Sequence, residues 1–280
     1  EPRPPVDRPG PAPPRAFFAL ALGWSFTCWA LAGALAPSVW QGPGPALFYL
    51  GGAAVPLAAL WVTARRGGAP AVRALLRSVV DPTRIPAVAW LFLLAFAPSV
   101  YLLAGVAGPD DPAPAGLLET RGVGGVLAEA GFALLFGPLP EELGWRGCAL
   151  PALLARSGPL AASARLFLAW ALWHVPLFLL PGYYVPFGGP PAPALFFLEL
   201  AANTVLQTWL FLVTGGSVLA AVLYHFAVNF TGELLPIPAA AEPVRASLFV
   251  MAAAGAGVWC ARRGVERARS ILESRYKHLI

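Results

Sequence analysis

Charged residues are scarce in this sequence. They make up 12% of its 280 residues, about half of the roughly 25% that is usual in soluble globular proteins. Hydrophobic residues account for 58% and form runs of about 20, the length that crosses a hydrocarbon core as a helix. The composition therefore excludes an ordinary soluble domain and predicts an all-α, polytopic membrane protein.

Cysteine is also scarce. Cys28, Cys148 and Cys260 are an odd number without metal-like spacing, so the sequence indicates neither a disulfide framework nor a zinc finger. The net charge of +5 does not indicate a nucleic-acid partner, because Arg and Lys lie between the apolar runs instead of forming a basic face with interleaved aromatics. We expect no nucleic-acid binding, and interpret the charge as a determinant of membrane topology.

Apolar runs separated by charged or Pro/Gly-rich breaks predict about eight transmembrane helices. Residues 1–15 are predicted to be a disordered tail, residues 16–261 a transmembrane domain and residues 262–280 a basic cytoplasmic tail. The predicted helices lie near residues 16–36, 45–64, 85–107, 123–140, 160–180, 193–213, 217–235 and 244–261.

The basic residues predict the orientation in the membrane. If the N-terminus is cytoplasmic, 17 of the 19 Lys and Arg residues lie on the inner side and only Arg121 and Arg245 on the outer side. We therefore expect both termini in the cytoplasm and the protein in the inner (plasma) membrane. The tail is either an ordinary basic tail or a helix lying on the anionic leaflet, with an apolar stripe of Val265, Ala268, Leu272, Tyr276 and Leu279.

Few ionisable side chains fall within the apolar runs, and each is a candidate functional residue because burying it in a membrane is costly. Glu142 and Arg146 are four residues apart, so they can form an ion pair on a helix. Glu141 points about 100° away and lacks that partner, which suits a general base acting on water. Alternatively, both glutamates only satisfy Arg146 and nearby helix ends.

Two later helices carry histidines. His174 shares a helix face with Trp170, and His225 shares one with Asn229. Each is also compatible with ordinary hydrogen bonding between packed helices. The sixth run carries a further polar stripe, in which a polar residue recurs every four positions; its members are Glu199, Asn203 and Gln207. The stripe indicates helix packing or, alternatively, the lining of a substrate cleft.

Two carboxylates, two imidazoles and an amide on three neighbouring helices can supply a base, an orienting group and oxyanion donors, the parts that amide hydrolysis requires. Two other functions stay open from the residues. The protein is alternatively a proton-coupled transporter that relays protons through its His and Glu residues, or a non-catalytic membrane scaffold.

Three motifs in order resemble the CAAX prenyl protease and bacteriocin-processing family of intramembrane endopeptidases, also called CPBP or Abi, and its bacterial branch in particular. The resemblance covers roughly residues 136–234. The family commonly has Phe in its second motif where this chain has Trp. The motifs are Glu-Glu-x-x-x-Arg at Glu141, Glu142 and Arg146, aromatic-x-x-x-His at Trp170 and His174, and His-x-x-x-Asn at His225 and Asn229.

The resemblance implies roles for these residues. Glu141 and His174 are expected to activate water, and His225 and Asn229 to bind the oxyanion, supported by Glu142, Arg146 and Trp170. It favours a metal-free glutamate mechanism without cofactor, with zinc as the less favoured alternative. The expected substrate is a peptide or membrane protein cut near its membrane-associated end; the residues indicate no oligomeric state.

The predicted helix ends place the candidate catalytic residues at different depths in the membrane. His174 and His225 lie well inside their helices, whereas Glu141 falls at the inner end of the fourth run. Either the fourth helix starts later and continues past Glu141, or a cavity open to the cytoplasm brings these depths together; we expect both.

Overall fold

The computed structural model describes residues 14–108 and 111–276. Within these ranges the chain forms helices and no strands. Seven spans are long and apolar enough to cross a membrane, and Val218–Leu234 is a shorter apolar helix. The prediction of an all-α, polytopic membrane protein of about eight helices is confirmed. Most of the predicted N-terminal tail lies outside the described residues.

Most helices lie close to the predicted runs, but the second and eighth runs continue as helix to Ser78 and Arg275, and three of the runs contain more than one helical segment. Short 3₁₀ turns connect several of them. The helices are α1 (Arg15–Leu35), α2 (Gly44–Gly52), α3 (Ala54–Ser78), α4 (Ala87–Ala107), α5 (Leu117–Phe136), α6 (Pro138–Gly144), α7 (Leu150–Leu154), α8 (Pro159–His174), α9 (Pro193–Val213), α10 (Val218–Leu234) and α11 (Glu242–Arg275).

The fourth run is broken once and then continues. Gly137 leaves the helical region of the backbone, with φ −118° and ψ −100°, and α6 begins at Pro138. A π-helical turn over Trp145–Ala149 joins α6 to α7. The expectation that helix continues past Glu141 is confirmed, whereas the predicted end at residue 140 was wrong. The expected later start was also wrong, because α5 begins at Leu117. Proline is tolerated in the first turn of a helix, where its missing N–H has no intrahelical partner.

Two glycines bring the α6–α7 segment close to α3. A Cβ on Gly144 would collide with Val55, and one on Gly147 would lie 2.6 Å from Leu75 Cδ1. Any larger residue would push the segment away from α3 or force its neighbours to move. The two glycines therefore determine how deeply the segment that carries Glu141 and Glu142 lies in the bundle.

Two apolar cores hold the helices. The larger one includes the buried indoles of Trp29, Trp145 and Trp173, and Trp173 Nε1 donates a hydrogen bond of 2.9 Å to Ser25 on α1. The second core joins α4, α9, α10 and α11 around Tyr224. Because α8 is fixed by the first core and α10 by the second, their polar faces are held in defined positions.

The C-terminal helix does not end at the membrane boundary that we predicted. Helix α11 continues through residue 261 to Arg275, and Ala268 and Leu272 are buried against the bundle. Arg275 Nη1 donates a hydrogen bond of 2.6 Å to the carbonyl of Gly216 in the α9–α10 connection. Of the two alternatives left open for the tail, an apolar stripe that lies on lipid does not hold for Ala268 and Leu272, because they pack on protein; Leu279 lies outside the described residues.

Candidate active site

The two adjacent glutamates of α6 point in different directions, as the helix geometry predicts. Glu142 is fully buried and receives a hydrogen bond of 2.8 Å from Arg146 Nη1, whose side chain is fully buried as well. Glu141 is partly exposed. The predicted Glu142–Arg146 ion pair is confirmed, and it leaves the Glu141 carboxylate outside that pair.

Glu142 has two further partners that the sequence did not predict. Its Oε1 lies 2.9 Å from His225 Nδ1 on α10 and 3.3 Å from Gln207 Nε2 on α9. A single carboxylate oxygen thus accepts from three side chains on three segments of the chain. Helical spacing reveals partners on one helix only, so Arg146 could be predicted and the other two could not.

Glu141 is bonded to α8. Trp170 Nε1 donates a hydrogen bond of 3.0 Å to Glu141 Oε2, a partner on another helix that the sequence did not predict. Among the described residues, no side chain donates a hydrogen bond to the other oxygen, Oε1. One oxygen of the carboxylate is therefore oriented, and the other remains available to a reacting molecule.

The tautomer of His174 follows from its hydrogen bond. His174 Nδ1 lies 2.8 Å from the carbonyl oxygen of Trp170. A carbonyl accepts only, so Nδ1 carries the hydrogen, and Nε2 of the neutral ring is an acceptor. The ring also contacts Trp173 and Phe196, with centroid separations of 5.0 and 5.3 Å. The aromatic contacts and the hydrogen bond together fix the direction of Nε2.

Trp170 lies at the centre of the cluster. Its ring centroid is 5.6 Å from that of His174 and 5.3 Å from that of His225. The guanidinium carbon of Arg146 lies 4.3 Å from the same ring centroid, a distance typical of a cation–π contact. The structure thereby gathers Glu141, both histidines and Arg146 around one indole.

Asn229 is the predicted site residue that the structure does not join to this cluster by a contact. It lies one turn after His225 on α10, its side chain is exposed, and it has no hydrogen-bond partner among the described residues. The position one turn away follows the predicted face. An amide without a protein partner is free to bind a substrate group.

The rest of the polar stripe on α9 packs against other helices. Glu199 Oε1 accepts a hydrogen bond of 3.0 Å from Arg245 Nε on α11, and Tyr224 OH donates one of 2.6 Å to Asn203 Oδ1. These contacts fit the packing interpretation of the stripe. Its third member, Gln207, is the exception, because it contacts Glu142 in the candidate site.

A metal site requires several ligating side chains close together. Within residues 14–108 and 111–276, no three His, Cys, Asp or Glu side chains lie close enough together to hold a metal ion. Nδ1 of each site histidine is hydrogen-bonded, in His174 to a carbonyl and in His225 to Glu142, which leaves Nε2 of each ring towards the site.

Comparisons with known proteins support the resemblance stated above. The chain is 36% identical over 127 residues to "CAAX prenyl protease 2" of Methanococcus maripaludis. The aligned segment is 44% of this chain. The chain thus spans about half the length, 47%, of this curated relative. Residues 124–231 match the family described as type II CAAX prenyl endopeptidase Rce1-like, and this segment contains Glu141, His174, His225 and Asn229. Over residues 124–231, the chain is therefore similar to Rce1-like CAAX prenyl endopeptidases.

Proposed function

We propose that this protein is an intramembrane endopeptidase that hydrolyses a peptide bond of a membrane-associated substrate. The observation that carries the proposal is the hydrogen bond from Trp170 Nε1 to Glu141 Oε2. It holds a carboxylate at the indole that both histidines contact. The family match over the same segment supports the same reaction class.

Glu141 and His174 activate the water in this proposal. The free oxygen of Glu141 and Nε2 of His174 are both acceptors, so one water molecule can donate a hydrogen to each. Glu141 takes a proton as the water oxygen attacks the carbonyl carbon of the substrate, and a tetrahedral oxyanion forms. The carboxylate is suited to this role because Oε2 is engaged by Trp170 and leaves Oε1 to receive the proton.

His225 and Asn229 stabilise the oxyanion. Asn229 supplies Nδ2–H, and His225 supplies Nε2–H when both of its ring nitrogens are protonated. When the oxyanion collapses to a carboxyl group, the C–N bond breaks, and the proton held by Glu141 passes to the departing amine. The products are a carboxylic acid and an amine, and Glu141 returns to its ionised form.

Glu142 and Arg146 support the site without taking part in bond breaking. Their ion pair is fully buried, so removing either partner leaves an uncompensated charge inside the bundle. Glu142 also accepts from His225. The pair therefore stabilises α6, and through Glu142 it also orients His225.

The substrate class follows from the family and from the membrane location. The curated relative carries the name CAAX prenyl protease, which favours cleavage close to the C-terminal, membrane-anchored end of a protein or peptide. We propose that the substrate enters from the cytoplasmic side of the plasma membrane and that both termini of the chain face the cytoplasm. The distribution of basic residues supports this orientation.

We further propose that hydrolysis needs no metal ion. The four residues form a complete set of base, orienting group and oxyanion donors. Among the described residues, no three His, Cys, Asp or Glu side chains lie close enough together to hold a metal ion, and this supports the proposal.

Cleavage of a peptide library tests the proposed function. Purified protein in lipid nanodiscs is incubated with membrane-anchored peptides, and products are mapped by mass spectrometry, with Glu141→Gln as the matched inactive variant. Cleavage at defined bonds that requires Glu141 supports the proposal. Proton-driven uptake into liposomes without any cleavage would favour a transporter instead, and the absence of both activities would favour a scaffold.

A further inference from the structure

Helix α9 places a buried amide against the candidate site. Gln207 is 1% exposed, and its Nε2 lies 3.3 Å from Glu142 Oε1. Burying a primary amide is costly unless it is hydrogen-bonded. An apolar residue would occupy this position on a membrane helix at lower cost, so the amide calls for an explanation beyond packing.

The orientation of this amide is determined by its neighbours. Nε2 faces Glu142 Oε1 and also the carbonyl oxygen of Ala221, at 3.5 Å. Both neighbours accept hydrogen bonds, so the NH₂ group and not the oxygen must face them. Gln207 therefore acts as a neutral donor to the carboxylate that binds His225.

The same carboxylate oxygen accepts from His225. Because Arg146 Nη1 and Gln207 Nε2 both donate to Glu142 Oε1, that oxygen is an acceptor, and His225 Nδ1 must carry a hydrogen to bind it. Nε2 is then the ring nitrogen left for the substrate. Glu142 Oε2 is buried and has no hydrogen-bond partner among the described residues, so the partners of Glu142 converge on one oxygen.

We propose that Gln207 is a positioning residue: its amide holds Glu142 Oε1 where that oxygen binds His225 Nδ1–H, and this directs His225 Nε2 towards the substrate. Without the amide, the carboxylate loses one of the contacts that select Oε1 over Oε2, and His225 Nδ1–H is no longer held in one direction. The catalytic consequence rests on the proposed peptidase function, whereas the effect on His225 does not.

Two substitutions and one control test the proposal. Gln207→Leu removes the donor and keeps an apolar side chain of similar size. Gln207→Asn keeps the amide but shortens the side chain by one methylene, which withdraws it from Glu142. Thr208→Val is the control, because Thr208 is also fully buried on α9. Among the described residues, its hydroxyl bonds only to the Thr204 carbonyl of its own helix.

The first readout is ¹⁵N NMR of histidine-labelled protein in nanodiscs. The chain has three histidines, and loss of a signal in His225→Gln assigns His225. The wild-type ring should keep hydrogen on Nδ1 and gain a second one on Nε2 when it becomes the imidazolium that binds the oxyanion. Both Gln207 variants should show an additional population that carries hydrogen on Nε2 alone. The second readout is peptide cleavage, where we expect a fall in kcat of about tenfold, the effect of one hydrogen bond to a charged group, with KM nearly unchanged.

Each outcome decides the proposal. An unaltered His225 spectrum in a folded Gln207 variant overturns it, as does wild-type kcat in such a variant, or an equal loss of kcat in Thr208→Val. If Gln207→Leu fails to fold, Gln207→Asn provides the test. If wild-type protein cleaves no peptide, the proposed function fails, and the spectra alone then decide whether Gln207 sets the tautomer of His225.

Discussion

Trp170 Nε1 donates a hydrogen bond of 3.0 Å to Glu141 Oε2, and this contact joins α8 to the first residue of the glutamate motif. The CAAX protease and bacteriocin-processing family commonly has Phe at this position, and a Phe ring cannot make the bond. In this chain the residue therefore contributes a donor as well as an aromatic surface.

Trp170→Phe should reduce turnover without unfolding the protein. The substitution keeps an aromatic ring beside both histidines and removes the donor to Glu141, so we expect kcat to fall by roughly three- to thirtyfold. The matched control is Trp29→Phe, which removes a buried indole N–H that donates to the Phe48 carbonyl far along the chain from the motifs. Cleavage kinetics and melting temperatures of both variants check the prediction, and an equal kcat in Trp170→Phe and wild type would contradict it.

Glu142→Gln should destabilise the protein and also impair catalysis. Arg146 would lose its buried counter-ion, which costs on the order of 3–5 kcal/mol, and His225 would lose the carboxylate that binds Nδ1. The sequence alone predicted only the loss of stability. A wild-type melting temperature in detergent would refute the first effect, and wild-type turnover in the surviving folded fraction would refute the second.

Removal of metal ions should leave activity unchanged. The proposed mechanism takes its base and its oxyanion donors from side chains alone, so prolonged dialysis against a strong chelator should not lower the cleavage rate. Elemental analysis of the active protein provides the control. Stoichiometric zinc, together with activity that is lost on its removal and restored by its return, would show that a metal takes part.

Both termini should face the cytoplasm. The prediction rests on the excess of Lys and Arg in the segments that would then be internal. Fusions of a periplasm-active reporter after Ile280 should be inactive, and fusions in the Pro112–Gly116 region between α4 and α5 should be active. A periplasmic signal from the C-terminal fusion would require the opposite orientation.

The sequence was sufficient to predict that the transmembrane helices exist, because a run of about 20 apolar residues has one stable arrangement in a bilayer, the helix. It was also sufficient for the pair of Glu142 and Arg146, since these residues are neighbours on one helix. The break at Gly137 was harder to interpret, because Pro138 and Pro140 suggested the end of a helix and instead begin one.

The remaining features depend on contacts between helices that are distant in sequence. Trp170 with Glu141 and His225 with Glu142 are separated by 29 and 83 positions, and no periodicity specifies which residues of two helices meet. The C-terminal tail shows the same difficulty. An amphipathic stripe can face lipid or protein, and only the packing of Ala268 and Leu272 on the bundle distinguishes the two.

The central claim is that Glu141 accepts a proton from water, and the turnover of Glu141→Gln tests it most directly. The amide preserves size and can still accept a hydrogen bond from Trp170 through its oxygen, but it cannot act as a base. The account predicts that the variant folds with a near wild-type melting temperature and cleaves at least about a hundredfold more slowly. Cleavage by Glu141→Gln at the wild-type rate would contradict it.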